Sequence, residues 1–271
     1  MTPNPQYMAN QRELGWHMRR VLIEWLIQVH SRFHLLPETL FLTVNIIDRF
    51  LTLRNVPVSK LQLVGATAIF IASKYEEITC PSVDEIVFMV DNGYSRDEVL
   101  EAERFMMNML QFELGWPGPM SFLRRISKAD DYEINTRTLA KYLLEVTVID
   151  ERFVASPPSY LAAVSHALAR RMLNKGHWVL NVISFPLANL CQTEAHMFYS
   201  GYTWRQLYPT VLVLLDCLTH QREHHPSVFA KYAEKKFKRA SRFVEEYMSQ
   251  GQYIDITEEN LYPPSHNEFP E

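Results

Sequence analysis

Met18-Arg19-Arg20-Val21-Leu22-Ile23-Glu24-Trp25-Leu26 carries more apolar side chains than one buried helical face requires. At 3.6 residues per turn, Met18, Val21, Leu22 and Trp25 fall on one stripe, whereas Ile23, Leu26 and Ile27 point elsewhere. One stripe can feed a core while the other stays available to a partner. The stretch lies in a helix expected from about Gln11 to Phe33. That helix ends before Pro37, which can open the next one because its missing N–H costs nothing at a first helical position.

Helical spacing continues downstream through Leu40, Val44, Ile47 and Leu51. A third helix, from Ser59 to about Lys74, is apolar almost all round (Leu61, Leu63, Val64, Ile69, Phe70, Ile71) and includes Gly65, Ala66, Ala68 and Ala72. That composition suits a central helix packed on every side. Pro81 is expected to open a fourth helix through Ile86 and Met89, stopped at Asp91-Asn92-Gly93, and Ser95 with Glu98 has capping-box spacing for a fifth. Gly115-Trp116-Pro117-Gly118-Pro119 is the densest run of breakers and marks the expected boundary. The division predicted is residues 1–116, a linker at 117–120, a second domain at 121–250 and a tail at 251–271.

The second half echoes the first. Ile46-Ile47-Asp48 followed by Pro57, Ser59, Leu61 and Val64 returns, about one hundred residues on, as Val148-Ile149-Asp150 followed by Pro157, Ser159, Leu161 and Val164. Similarity at domain length indicates a duplicated helical unit rather than a solenoid, whose period is roughly 20 to 50 residues.

Composition narrows the class. With 271 residues, 47% of them hydrophobic and only 8 glycines, the chain reads as an all-α protein with room for two cores. A net charge of −4 argues against a phosphate backbone as the main ligand, so no nucleic acid is expected. The three cysteines, Cys80, Cys191 and Cys217, form no CxxC pair and read as reduced, buried thiols of an intracellular protein, without a zinc site or other cofactor. No apolar run approaches the roughly twenty residues that span a bilayer, and the polar amino end is no signal peptide, so no membrane is expected. A Gly-rich phosphate loop, HExxH and G-x-S-x-G are all absent, the 10 histidines are scattered, and His224-His225 before Pro226 reads as a polar loop and helix start.

With these motifs placed, the chain resembles the cyclin family, B-type (G2/mitotic) cyclins in particular, fungal ones included, over nearly its whole length. The residues that carry this are Met18-Arg19-x-x-Leu22-Ile23-Glu24-Trp25-Leu26, Lys60-Leu61-Gln62-Leu63-Val64-Gly65 and Ala72-Ser73-Lys74-Tyr75-Glu76-Glu77. Phe122-Leu123-Arg124-Arg125-x-Ser127-Lys128 and Lys231-Tyr232 with Lys235-Lys236-Phe237-Lys238 look like the B-type class. The fold implied is two tandem five-helix cyclin boxes. The function implied is that of a non-enzymatic regulatory subunit of a cyclin-dependent protein kinase at mitotic entry.

The resemblance implies that Lys74 and Glu103, with Ile71, Tyr75, Glu76, Glu77, Ile78, Phe112 and Leu114, contact that kinase. An apolar contact with polar ends can seize a mobile kinase helix, and phosphoryl transfer needs a Lys–Glu pair formed inside the kinase. The plainer reading of Lys74 and Glu103 is an ordinary surface salt bridge, worth about 0–1 kcal/mol. The resemblance also implies a docking patch of Met18, Val21, Leu22, Trp25, Gln28, Leu61 and Gln62 for Arg-x-Leu segments of substrates and inhibitors. There an apolar groove takes the leucine and Gln28 and Gln62 bond the peptide backbone. Family members often carry an acidic side chain where Gln28 stands; the plain alternative for such a stripe is core.

Arg137 and Lys141 share a helix face and, with Arg124, form a candidate phosphate-sized pocket, a solvated basic face being the alternative. Lys235-Lys236-x-Lys238-Arg239 reads either as a nuclear address or as a surface stripe, and nucleus and cytoplasm are the expected locations. Rival functions are a cyclin-box general transcription factor on promoter DNA and a non-catalytic helical scaffold.

Two departures stand out. Val179 to Gln192 interrupts the family pattern between Gly176-His177-Trp178 and Thr193-Glu194-Ala195-His196. A translated intron is the expectation, since Val179 permits a GT start, Ala188-Asn189 a GCTAAC branch sequence and Gln192 a CAG end; a natural loop insertion is the alternative. The family also has a helix before Asn4-Pro5-x-Tyr7-Met8 that touches the kinase, and a destruction signal upstream. Both are missing from the resemblance, so weaker kinase binding and escape from ubiquitin-directed turnover are expected, with a fragment or faulty gene start explaining the loss equally well.

Overall fold

Small side chains decide the centre of the first half. In the computed structural model, which describes residues 1–175 and 195–251, α1 (Trp16–Arg32), α2 (Pro37–Leu53), α3 (Leu61–Glu76), α4 (Val83–Met89) and α5 (Arg96–Met109) surround a cluster in which α3 is the axis. Twelve of the sixteen α3 residues are buried, and Gly65 lets α1 approach so closely that Leu22 lies against its backbone.

The second half contains α6 (Pro119–Ile126), α7 (Ile134–Val146), α8 (Pro158–Met172), α9 (Trp204–Cys217), α10 (Gln221–His224), α11 (Pro226–Tyr232) and α12 (Ala240–Ser249), with a further helical stretch over residues 195–200. Among the described residues there is no strand, and no helix is long and apolar enough to cross a membrane. The all-α class with two tandem helical units is therefore what the chain adopts.

Several local expectations are corrected. α1 starts at Trp16, not Gln11, because Gly15 is extended (φ −135°, ψ 165°) and the Gln11 amide has better partners elsewhere. It donates to the Leu51 and Arg54 carbonyls (2.7 and 2.6 Å) and accepts from the Val56 N–H (3.0 Å), which ties the amino-terminal strap to the end of α2. Pro81 does not open α4; Ser82 does, in a reciprocal capping box with Glu85. The Ser95–Glu98 capping box forms as expected. Cys217 is buried, but Cys80 is exposed, since it lies in the loop between α3 and α4. Cys191 and the insertion at Val179 to Gln192 lie outside the described residues, as does the tail beyond Gly251.

The apolar excess of α1 has three destinations. Leu22, Leu26 and Val29 join the first-half cluster, while Ile23 and Ile27 join the second-half cluster together with Leu40, Phe41 and Val44 of α2. Each such side chain contributes about 1.5–3 kcal/mol on burial, so α1 and α2 couple the halves as well as building the first. Val21 is left 68% exposed.

Candidate functional site

The end of α3 sets a lysine beside a carboxylate from α5. Lys74 Nζ donates to both Glu103 oxygens (2.7 and 2.9 Å) and lies 3.9 Å from the Phe70 ring centroid. Tyr75 and Phe112 are exposed, and Ile78 is completely so. Phe112 and Gln111 both adopt left-handed backbone (φ 59° and 53°), a conformation that costs a non-glycine residue about 1–2 kcal/mol and here carries the chain out of α5. The Tyr75 hydroxyl lies 3.6 Å from where a Cβ would stand on Gly115, so the end of α3 meets the segment after α5.

Not all the residues proposed for this face point outward. Ile71 and Leu114 are buried in the first-half cluster. Glu77 is committed inside the molecule: its carboxylate accepts from the Leu36 N–H (2.7 Å) and from the Thr39 hydroxyl, at the start of α2, where Leu36 offers no capping side chain. Glu76 stays half-buried beside it, and burial, followed by the charges of Glu38 and Glu77, pushes its carboxyl upward.

The α1 stripe is a floor with a rim. Leu22 and Leu61 are buried and form floor; Met18 and Trp25 are half-buried against the same cluster; Val21, Gln28 and Gln62 are exposed. Gln28 donates to Ser227 Oγ (3.0 Å), and the Ser227 N–H donates to Glu24 (2.8 Å), so the second half closes one end of the stripe. The expectation that Gln28 is held for a peptide is revised accordingly, because α11 already takes its amide.

Arg124, Arg137 and Lys141 do share one field. Burial, then the charge of Arg137 and, more weakly, that of Arg124, push the Lys141 amine down against the pull of Glu38 and Glu145. Arg124 is paired with Glu38 across the two halves (3.3 Å), and Arg137 lies 5.7 Å from the Tyr132 ring centroid. In the basic run, Lys236 pairs with Glu234 (2.9 Å), and Lys235, Lys236, Lys238 and Arg239 are all exposed.

Sequence reading missed the buried charges. Arg19 grips Asp48 with two hydrogen bonds (2.7 and 2.8 Å), donates to the Val148 carbonyl (3.0 Å) and so ties the halves together; the Tyr7 hydroxyl donates to the same carboxylate (2.8 Å). Glu145 receives Lys231 and the Tyr232 hydroxyl, each at 2.8 Å. The only sequence hint was a polar residue inside an apolar periodicity. Among the described residues two groups come within ligand distance of one another, Asp130 with His166 and His196, and Asp150 with Cys217 and His224. Each carboxylate is also paired with an arginine, Arg170 and Arg152 respectively.

The two halves each match a known family: residues 1–115 match the family model "Cyclin, N-terminal domain" and residues 117–246 match "Cyclin, C-terminal domain". The chain is 57% identical over 246 residues to G2/mitotic-specific cyclin-4 of Candida albicans, covering 91% of this chain and 48% of that protein. It is 50% identical over 247 residues to G2/mitotic-specific cyclin-4 of Saccharomyces cerevisiae, covering 91% and 50%. It is also 50% identical over 246 residues to the G2/mitotic-specific cyclin cdc13 of Schizosaccharomyces pombe, covering 91% and 48%. The chain thus spans about half the length of the curated relatives it matches. Among solved structures, a viral cyclin from herpesvirus saimiri superposes with a TM-score of 0.65 at 17% identity, covering 77% of this chain and 87% of that one, which supports the fold. The helical architecture and two matched cyclin domains in tandem together establish that the chain belongs to the cyclin family, and the relatives it resembles are G2/mitotic-specific cyclins.

Proposed function

We propose that this chain is a regulatory subunit that binds and activates a cyclin-dependent protein kinase controlling the G2/M transition. The observation that carries this reading is the Lys74–Glu103 pair, set among exposed Tyr75, Ile78 and Phe112 at the end of α3. A charged pair at the end of α3, with solvated apolar side chains on the segments that follow α3 and α5, suits a partner helix: the apolar groups supply the contact energy and the pair orients it. The chain supplies no catalytic group; it acts by binding the competent kinase arrangement better than the idle one. The test is a pull-down with kinase and a histone-type phosphorylation assay on Lys74→Ala/Glu103→Ala; normal activation by the double variant refutes the assignment.

Within the same reading, the α1 stripe docks Arg-x-Leu substrates and inhibitors. Its half-buried Met18 and Trp25 around exposed Val21 offer a shallow apolar seat, and Gln62 stands free at the rim to bond a peptide backbone. Arg124, Arg137 and Lys141 are offered as a site for a phosphorylated residue, with Glu38 displaced from Arg124 when it binds.

A further inference from the structure

The turn that carries α10 into α11 hides a continuous chain of hydrogen bonds. His224 Nε2 faces Asp150 Oδ2 at 3.2 Å; His224 Nδ1 faces His225 Nδ1 at 3.0 Å; His225 Nε2 faces the Tyr142 hydroxyl at 2.7 Å; and that hydroxyl faces Gln221 Oε1 at 2.7 Å. His225 is completely buried, and Gln221 and Tyr142 are also buried.

Counting protons along this chain leaves two states. Burial alone would raise the Asp150 carboxyl, but hydrogen bonds from His224, from the side chain and backbone of Arg152, and from Cys217 hold it well below the usual range, so it accepts only. His224 Nε2 therefore donates to it in either state. Two Nδ1 atoms in contact share one proton. If His224 is the imidazolium, its Nδ1–H donates to His225. His225 then carries its own proton on Nε2 and donates to Tyr142, which donates to the Gln221 carbonyl oxygen. If His224 is neutral, every one of those bonds reverses: His225 Nδ1–H donates to His224, the Tyr142 hydroxyl donates to His225, and Gln221 must turn its NH2 toward Tyr142.

The surroundings keep the second imidazole neutral. Burial, then His224 and Arg20 of α1, push His225 down to about 3. From the other elements, Glu245 of α12 acts on Tyr142, Tyr232 of α11 packs on its ring at 5.4 Å, and Arg152, paired also with Asp216, backs the Asp150 carboxylate. Arg20 donates to the Glu223 carbonyl and Glu24 accepts from Ser227, so the same turn is the second half's grip on α1.

We infer that Asp150–His224–His225–Tyr142–Gln221 is a proton-coupled switch, in which one proton gained or lost at His224 reverses the chain and turns the Gln221 amide in the segment that holds α1. The switch does not depend on the kinase reading. The test is long-range 1H–15N correlation of the histidine rings in the whole chain, from about pH 5 to about pH 9, the interval in which histidines ordinarily titrate. The expected result is that any step in which the His224 ring loses a proton is matched by His225 moving its single proton from Nε2 to Nδ1 without changing charge. A His225 tautomer that stays constant through the His224 titration overturns the proposal, as does a His224 that never carries two protons. In Tyr142→Phe, which keeps the ring and removes the hydroxyl, the Gln221 amide resonances cease to follow His224; if they still follow it, the chain is not the link.

Discussion

Leu22 and Gly65 meet across α1 and α3: a Cβ on residue 65 would stand 2.7 Å from Leu22 Cδ1 and 3.3 Å from its Cγ. Because Leu22 is itself buried, it cannot swing aside into solvent. Gly65→Ala is expected to force the helices apart at a cost of about 1–3 kcal/mol, offset in part by roughly 1 kcal/mol of helix propensity. Urea unfolding should show a lower midpoint, and the Trp25 fluorescence environment should change with it. A midpoint at or above that of the parent chain would show that α1 gives way freely.

The buried Arg19–Asp48 pair is expected to be costly to break and not to replace. Asp48→Ala leaves a buried guanidinium and the Tyr7 hydroxyl without their acceptor, a loss of about 3–5 kcal/mol. Arg19→Met/Asp48→Leu should recover most of it, except for the lost bond to Val148 that joins the halves. Thermal unfolding of the three proteins decides, and equal loss in single and double variants would count against it.

Stability should fall in mild acid. His225 titrates near about 3 in the fold because burial, His224 and Arg20 disfavour its charge, whereas an unfolded histidine titrates at about 6.5. Between those values the unfolded chain binds the extra proton, so this contribution is complete above about pH 6.5 and is lost progressively as pH drops toward about 3. His30, pushed down by burial first and by Lys231 next, acts in the same sense. From about pH 7 to about pH 5 the His225 share is about 2 kcal/mol. His225→Gln should show a shallower dependence of the urea midpoint on pH; an unchanged slope would assign the effect elsewhere.

Trp25→Ala should spare phosphorylation of a short peptide by the assembled kinase and weaken that of Arg-x-Leu substrates. Equal loss on both would indicate a folding defect, which is a real alternative because Trp25 is half-buried against the first-half cluster.

For the proposed kinase face, Ile78→Asp is the cleaner companion to the Lys74 and Glu103 variants. Ile78 is fully exposed, so its replacement should leave the unfolding midpoint within about 0.5 kcal/mol of the parent while lowering kinase capture. Undiminished capture would move the contact away from this loop.

Local chemistry made much of this molecule legible. The 3.6-residue periodicity, the Ser95–Glu98 capping box and the small residues of α3 are properties of neighbours in sequence, so the helices and the central place of α3 could be read from the chain alone. Errors arose where a distant group outbid a local one. Gln11 was drawn from α1 into the Leu51 and Arg54 carbonyls, and His224-His225, which reads as a polar loop, became a buried chain because Asp150 and Tyr142 arrive from far away in sequence.

The echo of Asp48 in Asp150 shows the same limit. Asp48 sits within α2 and receives Arg19, while Asp150 lies beyond the end of α7 and receives Arg152 and His224. The motif repeats and its environment does not.

By itself the sequence determined an all-α chain with two tandem cyclin-like units and an α1 too apolar for one face. Only the tertiary structure decided where that surface went: Ile23 and Ile27 into the second half, Leu22 onto Gly65, and Val21 into solvent. It likewise joined Lys74 to Glu103 and left Ile71 and Leu114 in the core. Periodicity tells which residues share a face, but which neighbour covers that face depends on close packing between segments far apart in the chain, and no local pattern encodes it.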